Sequence, residues 1–221
     1  MHEKKLKNIA YTIEKKFHIR VQYTAKMGLA IDEIIKEEAK ADLIIMGMRG
    51  AGPIREALFG SITTDMMRKT HKPLLIIPQN AEYHGFKHIV FACDFDSKTD
   101  LQTLDYLKEL VTLFHSKLFV VNVIKRNELL PLHRASTGAK LERKLNDIEH
   151  SYSFLENDDL IKEVNDFAHI HDADLITIIP HKHNIIERLF IKTYSKKMAF
   201  HTDLPLLALP DPHDKVELHA F

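Results

Sequence analysis

The sequence has a single cysteine, Cys93, in 221 residues. That excludes an internal disulfide framework and fits a reducing compartment, so a cytoplasmic protein is expected. Net charge is also missing: 31 Lys plus Arg balance 31 Asp plus Glu, and no overall field draws the chain to nucleic acid or to an anionic membrane. No apolar run approaches the roughly 20 residues that a membrane-spanning helix needs. The opening MHEKKLKN lacks the apolar centre of a signal peptide. What remains is ordinary for a globular protein, 45% hydrophobic and 28% charged, in a chain long enough for one large or two small cores.

The strongest signal is repetition. ADLIIMG begins at Ala41 and ADLITII at Ala173; KPLLIIP ends at Pro78 and LPLLALP at Pro210. The two intervals are identical, since 173 − 41 and 210 − 78 both equal 132. Two matching blocks at one gapless interval point to a duplication. The second copy opens with an apolar strand, HIVFACD (88–94), whose first-copy counterpart would precede residue 1. Roughly 45 residues of the first copy, one βαβ unit's worth, are therefore expected to be missing, either because the chain starts at an internal methionine or because it descends from a truncated gene.

Hydrophobic periodicity assigns elements to each copy. In the second, strands are predicted at 88–94, 117–124, 151–156, 174–180 and 204–210. Helices fall between them at 96–116, 138–149, 158–169 and 185–200. Alternating strands and helices of this kind predict a parallel sheet covered on both faces. The first copy joins the same order part-way: helix 3–17, strand 19–24, helix 30–40, strand 42–47, helix 61–71, strand 74–77. Residues 1–79 are thus read as a partial domain, 80–85 as a polar linker ending at Gly85, 86–212 as a complete domain and 213–221 as a tail.

One loop carries chemistry. After the strand DLIIMG come Gly47, two residues, Gly50, nine residues, Gly60 and Ser61. Glycine at a strand end permits a tight turn and lets backbone approach a ligand closely. Gly60 and Ser61 open the helix SITTDMMRKT, whose free N–H groups and dipole favour an anion. Ser61 can cap that helix or offer its hydroxyl to a phosphate, and Arg49 can add a charge-assisted contact. A lone glycine triplet is more often loop punctuation, but this one lies at the C-terminal edge of a parallel strand, where such sheets bind ligands.

With the helix and KPLLIIP that follow, this spacing resembles the nucleotide-binding signature of the universal stress protein family, and the resemblance runs through both copies. It implies flavodoxin-like, Rossmann-like doubly wound domains of strand order 3-2-1-4-5. It also implies ATP or AMP as ligand, with or without Mg²⁺, and association as a homodimer or by pairing of the two domains within the chain. By the same resemblance Gly47, Gly50, Gly60 and Ser61 would hold ribose and phosphates, assisted by the backbone of Ile62. An acidic residue closing the first strand would face the adenine. The first copy lacks that strand and the second strand beside it. The second copy keeps Asp94 at the equivalent point but has Ile179, Lys182 and Lys192 opposite Gly47, Gly50 and Gly60, with Thr193 opposite Ser61. Bulky side chains there keep backbone from a phosphate, so the second copy is expected to be structural or regulatory.

Other polar clusters weigh less. His181 and His183 stand two apart, as do His169 and His171; paired histidines can ligate a metal, but exposed loop residues are the preferred reading, and no metal is expected. Cys93 and the methionines 46, 48, 66 and 67 read as core filling. Three functions follow in order: a nucleotide-responsive binding protein, a nucleotide-independent dimerisation or interaction module with a relic loop, and last an enzyme. No Walker lysine, water-positioning acid or metal-binding carboxylate stands near the loop, so no catalytic residue is assigned, and at most a weak ATPase activity is expected.

Overall fold

The computed structural model describes residues 2–48, 61–93, 102–124, 132–157, 159–180 and 202–210. Contacts divide the chain into two compact units, Met1–Glu37 and Glu38–Phe221. The first holds helices α1 (His2–Phe17) and α2 (Ala30–Glu37). Gly28 turns the chain into α2 at φ +148°, where a Cβ would meet Glu33 at 3.2 Å, and Lys26 pairs with Glu37 at 2.5 Å. The strand predicted at 19–24 does not form; residues 18–27 carry no regular structure. In the repeat alignment they fall on residues 150–159, and His150–Glu156 is a strand paired along its length with Lys117–Ile124. Residues 18–27 enter no strand pairing among the described residues, and a segment without a ladder to stabilise it stays irregular.

In the second unit a 3₁₀ turn (Glu38–Lys40) leads to β1 (Ile44–Gly47), α3 (Ser61–Lys69) and β2 (Leu74–Ile77). There follow β3 (His88–Ala92), α4 (Leu104–Phe114), β4 (Lys117–Ile124), α5 (Leu132–Leu145) and β5 (His150–Glu156). Helix α6 (Leu160–Ile170) and strands β6 (Leu175–Ile178) and β7 (Leu206–Ala208) complete the described elements. The predicted helix 185–200 lies outside the described residues. All seven strands form one sheet, ordered β1-β2-β7-β6-β3-β4-β5. Read from β5 to β7, five of them give the expected 3-2-1-4-5 order. β1 and β2 are strands four and five of the first copy.

The duplication is visible atom by atom. Ile44 pairs with Leu74 as Ile176 pairs with Leu206, and the next two partners match as well. The Ile44 amide donates to Pro73 O at 2.9 Å and the Ile176 amide to Pro205 O at 3.0 Å. Thr70 receives the Lys72 amide on its hydroxyl, which lies 3.3 Å from Lys72 O. Thr202 does the same with Leu204, at 3.4 Å. Every one of these pairs is related by the interval that separates Ala41 from Ala173, so the gapless sequence offset is also a structural one.

The two copies share the sheet through β2 and β7, which run antiparallel with Leu74 opposite Ala208, Leu75 opposite Leu207 and Ile76 opposite Leu206. All six side chains are buried. Leu75 and Leu207 enter the same core cluster as Leu104, Leu107 and Val111 of α4, a three- and four-residue apolar stripe that docks the helix on the sheet. The start of α4 is fastened to the end of β7, where the Thr103 hydroxyl donates to Pro210 O at 2.9 Å.

A buried carboxylate locks the entry to β1. Glu38 accepts from the Thr70 hydroxyl at 2.7 Å and the His71 amide at 3.1 Å, and lies 2.7 Å from His71 Nδ1. Burial alone would push its carboxyl up; these hydrogen bonds outweigh that and hold it below the usual glutamate range.

Leu75→Ala and Leu207→Ala should each lose about 2–4 kcal/mol of stability by urea unfolding. The double variant should lose less than the sum, because the residues face each other. Glu38→Gln should cost about 1–2 kcal/mol at pH 7. Because the folded carboxyl is depressed, its contribution is present above the unfolded value of about 4.3 and disappears as pH falls through the lower folded value. The stability gap between parent and variant, followed by urea midpoints from pH 7 to pH 3, should therefore narrow in acid.

Candidate functional site

β1 and β2 are parallel and joined through α3, so the start of α3 lies at the edge where β1 ends. Gly47 closes β1, and a Cβ built on it meets nothing within 4 Å. The next amide, of Met48, donates to Ile77 O at 2.7 Å and keeps the chain in the ladder up to the loop. Met48 itself is buried. Helix α3 opens at Ser61 as predicted, with unpaired N–H groups in its first turn expected on general grounds. Thr63, Met66 and Met67 anchor it in the core while Ile62 is 44% exposed. The structure thus sets Gly47 and the first turn of α3 on one edge; Arg49, Gly50 and Gly60 lie outside the described residues.

The second copy differs where the sequence says it should. Ile179, opposite Gly47, is a buried member of the core cluster. It is 3% exposed, whereas a Cβ at Gly47 would meet no atom of the described residues within 4 Å. Asp94 also lies outside the described residues, but the strand that leads to it is well defined. The Cys93 amide donates to Val121 O at 2.9 Å, and Asn122 Nδ2 of β4 donates to Cys93 O at 2.7 Å, steering the chain where β3 ends. His181 and His183 fall outside the described residues. His169 instead lies 3.3 Å from an Asp203 carboxylate oxygen, and His171 stacks on Phe167 with centroids 4.1 Å apart.

Sheet direction decides how these pieces relate. β1 and β2 run one way; β7, β6, β3, β4 and β5 run the other. The C-terminal end of β1 therefore lies at one edge of the sheet and the C-terminal end of β3 at the opposite edge.

Two roles went unseen in the sequence. Asp174 Oδ2 accepts the amides of Lys87 at 2.7 Å and His88 at 2.9 Å, tying β6 to the start of β3. The Thr70 and Thr202 turns precede the two closing strands. Both residues stand inside or beside the repeated blocks, ADLI and T-x-x-P-L-L, so extending the alignment residue by residue would have found them.

Comparison with known proteins gives the following. Residues 3–78 match the sequence profile of the universal stress protein family. A universal stress protein of Methanocaldococcus jannaschii is 33% identical over 75 residues, which cover 33% of this chain and 46% of that protein. The chain thus spans less than half of that relative. In three dimensions a universal stress protein from Archaeoglobus fulgidus superposes with TM-score 0.71 at 19% identity, over 95% of this chain and 76% of its own. A functionally unknown protein from Pseudomonas aeruginosa gives 0.69 at 15% identity, over 97% and 79%. At these identities the superpositions establish a common α/β fold.

Gly47→Ile should leave the melting temperature nearly unchanged, because the new side chain enters open space on a strand. Ile179→Gly should cost about 3–5 kcal/mol, since it removes a fully packed side chain and adds backbone freedom. Thermal and urea unfolding of both variants checks this asymmetry.

Proposed function

Since the chain belongs, through residues 3–78, to the universal stress protein family, we propose that its first copy binds an adenine nucleotide, ATP or AMP, and that occupancy modulates its contacts with other proteins. The observation that carries this reading is the contrast at one register position: open space beside Gly47 against the buried Ile179. Gly47 lets backbone approach phosphates, and α3 presents its first turn to them at the same edge. Arg49, Gly50, Gly60, Ser61 and Ile62 are assigned to ribose and phosphate by their place in the loop, and Mg²⁺ is an optional companion. The second copy takes a structural role, with its glycine positions replaced. No group is assigned to catalysis.

A second reading rests on the opposite directions of β1 and β3, whose C-terminal ends lie at opposite edges of the sheet: a nucleotide-independent interaction module with a relic loop. Titration calorimetry of the 221-residue chain with ATP and AMP separates the two. Saturable micromolar binding, lost in Gly47→Ile and Gly60→Lys but kept in Ile179→Val, is the expected outcome. A folded protein that takes up neither nucleotide would establish the interaction module instead.

A further inference from the structure

The 3-2-1-4-5 order of the second copy ends at its own third strand, β5, which has β4 on one side. Among the described residues no strand lies on the other side. Hydrogen bonds at both ends fix which groups face outward. The Leu118 amide donates to Glu149 O at 3.0 Å and the Asn157 amide to Ile124 O at 2.9 Å, so the odd-numbered residues turn their main chain to β4. In a parallel ladder the alternate residues, His150, Tyr152, Phe154 and Glu156, turn theirs the other way. The strand from 150 to 156 contains no lysine or proline of the kind that protects natural edges from pairing, and Phe154 is 64% exposed on it.

The edge sequence, His-Ser-Tyr-Ser-Phe-Leu-Glu, is complementary to itself read backwards. Laid antiparallel on a second copy about a two-fold axis at Ser153, His150 faces Glu156, Tyr152 faces Phe154, Ser151 faces Leu155 and Ser153 faces its own counterpart. All four outward residues then fall on hydrogen-bonded positions of the new ladder; an axis at Tyr152 or Phe154 would pair only three of them within the strand. The charges agree as well. His150 has an acceptor at each ring nitrogen, Ile148 O at 2.9 Å and a Glu142 carboxylate oxygen at 3.0 Å, the surroundings of an imidazolium. Burial disfavours the charged ring, but these acceptors outweigh burial and hold it above the usual histidine range. The ring stands edge-on to Tyr152 at 5.3 Å, so the two form one wall opposite Phe154 and Glu156 of the other copy. We propose that the outer edge of β5 is a docking site for a second copy of this chain, joined β5 to β5, antiparallel, with Ser153 at the two-fold axis. Main-chain hydrogen bonds supply affinity. The pairing of Tyr152 with Phe154 and of His150 with Glu156 sets the register. The contact uses none of the residues assigned to nucleotide.

The test follows the whole chain from micromolar to millimolar concentration by sedimentation equilibrium and NMR amide exchange. Expected are a doubling of mass and, with it, at least about tenfold slower exchange at His150, Tyr152, Phe154 and Glu156. The amides of Ser151, Ser153 and Leu155, turned to β4, should stay protected throughout. Phe154→Lys should weaken association at least about tenfold while the exposed position keeps the fold intact. Cross-linking reads the register, with the parent chain, whose lone Cys93 is buried, as control. Ser153→Cys should oxidise to a disulfide-linked dimer, because a non-hydrogen-bonded antiparallel pair brings its Cα atoms to about 4.5 Å. Ser151→Cys alone should not, but should cross-link when mixed with Leu155→Cys. Any of four results overturns the proposal: a chain that stays monomeric, a dimer that Phe154→Lys leaves intact, outward amides already protected in the monomer, or Ser151→Cys cross-linking to itself in preference to Ser153→Cys.

Discussion

Antiparallel pairing of β2 with β7 is the contact on which the rest of the larger unit depends. Leu74, Leu75 and Ile76 of one copy meet Ala208, Leu207 and Leu206 of the other, so the last strand of each repeat becomes the inner neighbour of its twin. Two strands and a short helix could not bury a core unaided. Joined edge to edge to a complete five-strand sheet, they borrow one: Leu75 packs in the same cluster as Leu107 and Leu118. The join also reverses strand direction. That reversal sends the C-terminal ends of β1 and β3 to opposite edges of the sheet.

This reversal shapes what the candidate site can be. Gly47 and the first turn of α3 gather at one edge, and among the described residues nothing lies within 4 Å of a Cβ built on Gly47. At the far edge the equivalent of Gly47 is Ile179, absorbed into the core. The two copies thus differ at one register position, and the five-strand sheet of the second holds β1 and β2 of the first in place through the β2–β7 pairing.

Much of this could be read beforehand, because hydrophobic periodicity and a constant repeat interval are local and cumulative signals. Strands 74–77 and 117–124 appear at the predicted bounds, and the 3-2-1-4-5 order is recovered in β5-β4-β3-β6-β7. The expected strand 19–24 is the informative exception. Its composition suits a strand as well as that of β5 does, yet only β5 has β4 beside it. Likewise nothing in the residue types of Asp174 or Glu38 announces that one receives the opening amides of β3 and the other a threonine, a histidine ring and an amide. Such partners come from 32 to 87 residues away, beyond the reach of any local pattern.

By itself the sequence determined the repeat, the alternation of strands and helices, the glycine spacing after β1 and the replacement of those glycines in the second copy. These follow from short-range periodicity and from one fixed interval, the same from Ala41 to Ala173 as from Pro78 to Pro210. Only the tertiary structure decided that the copies merge into one sheet and that β1 and β3 run in opposite directions within it. Those facts depend on which strand edges meet and in which direction. Hydrogen-bond pairing between distant segments settles that choice, and an alternating apolar pattern is compatible with either direction.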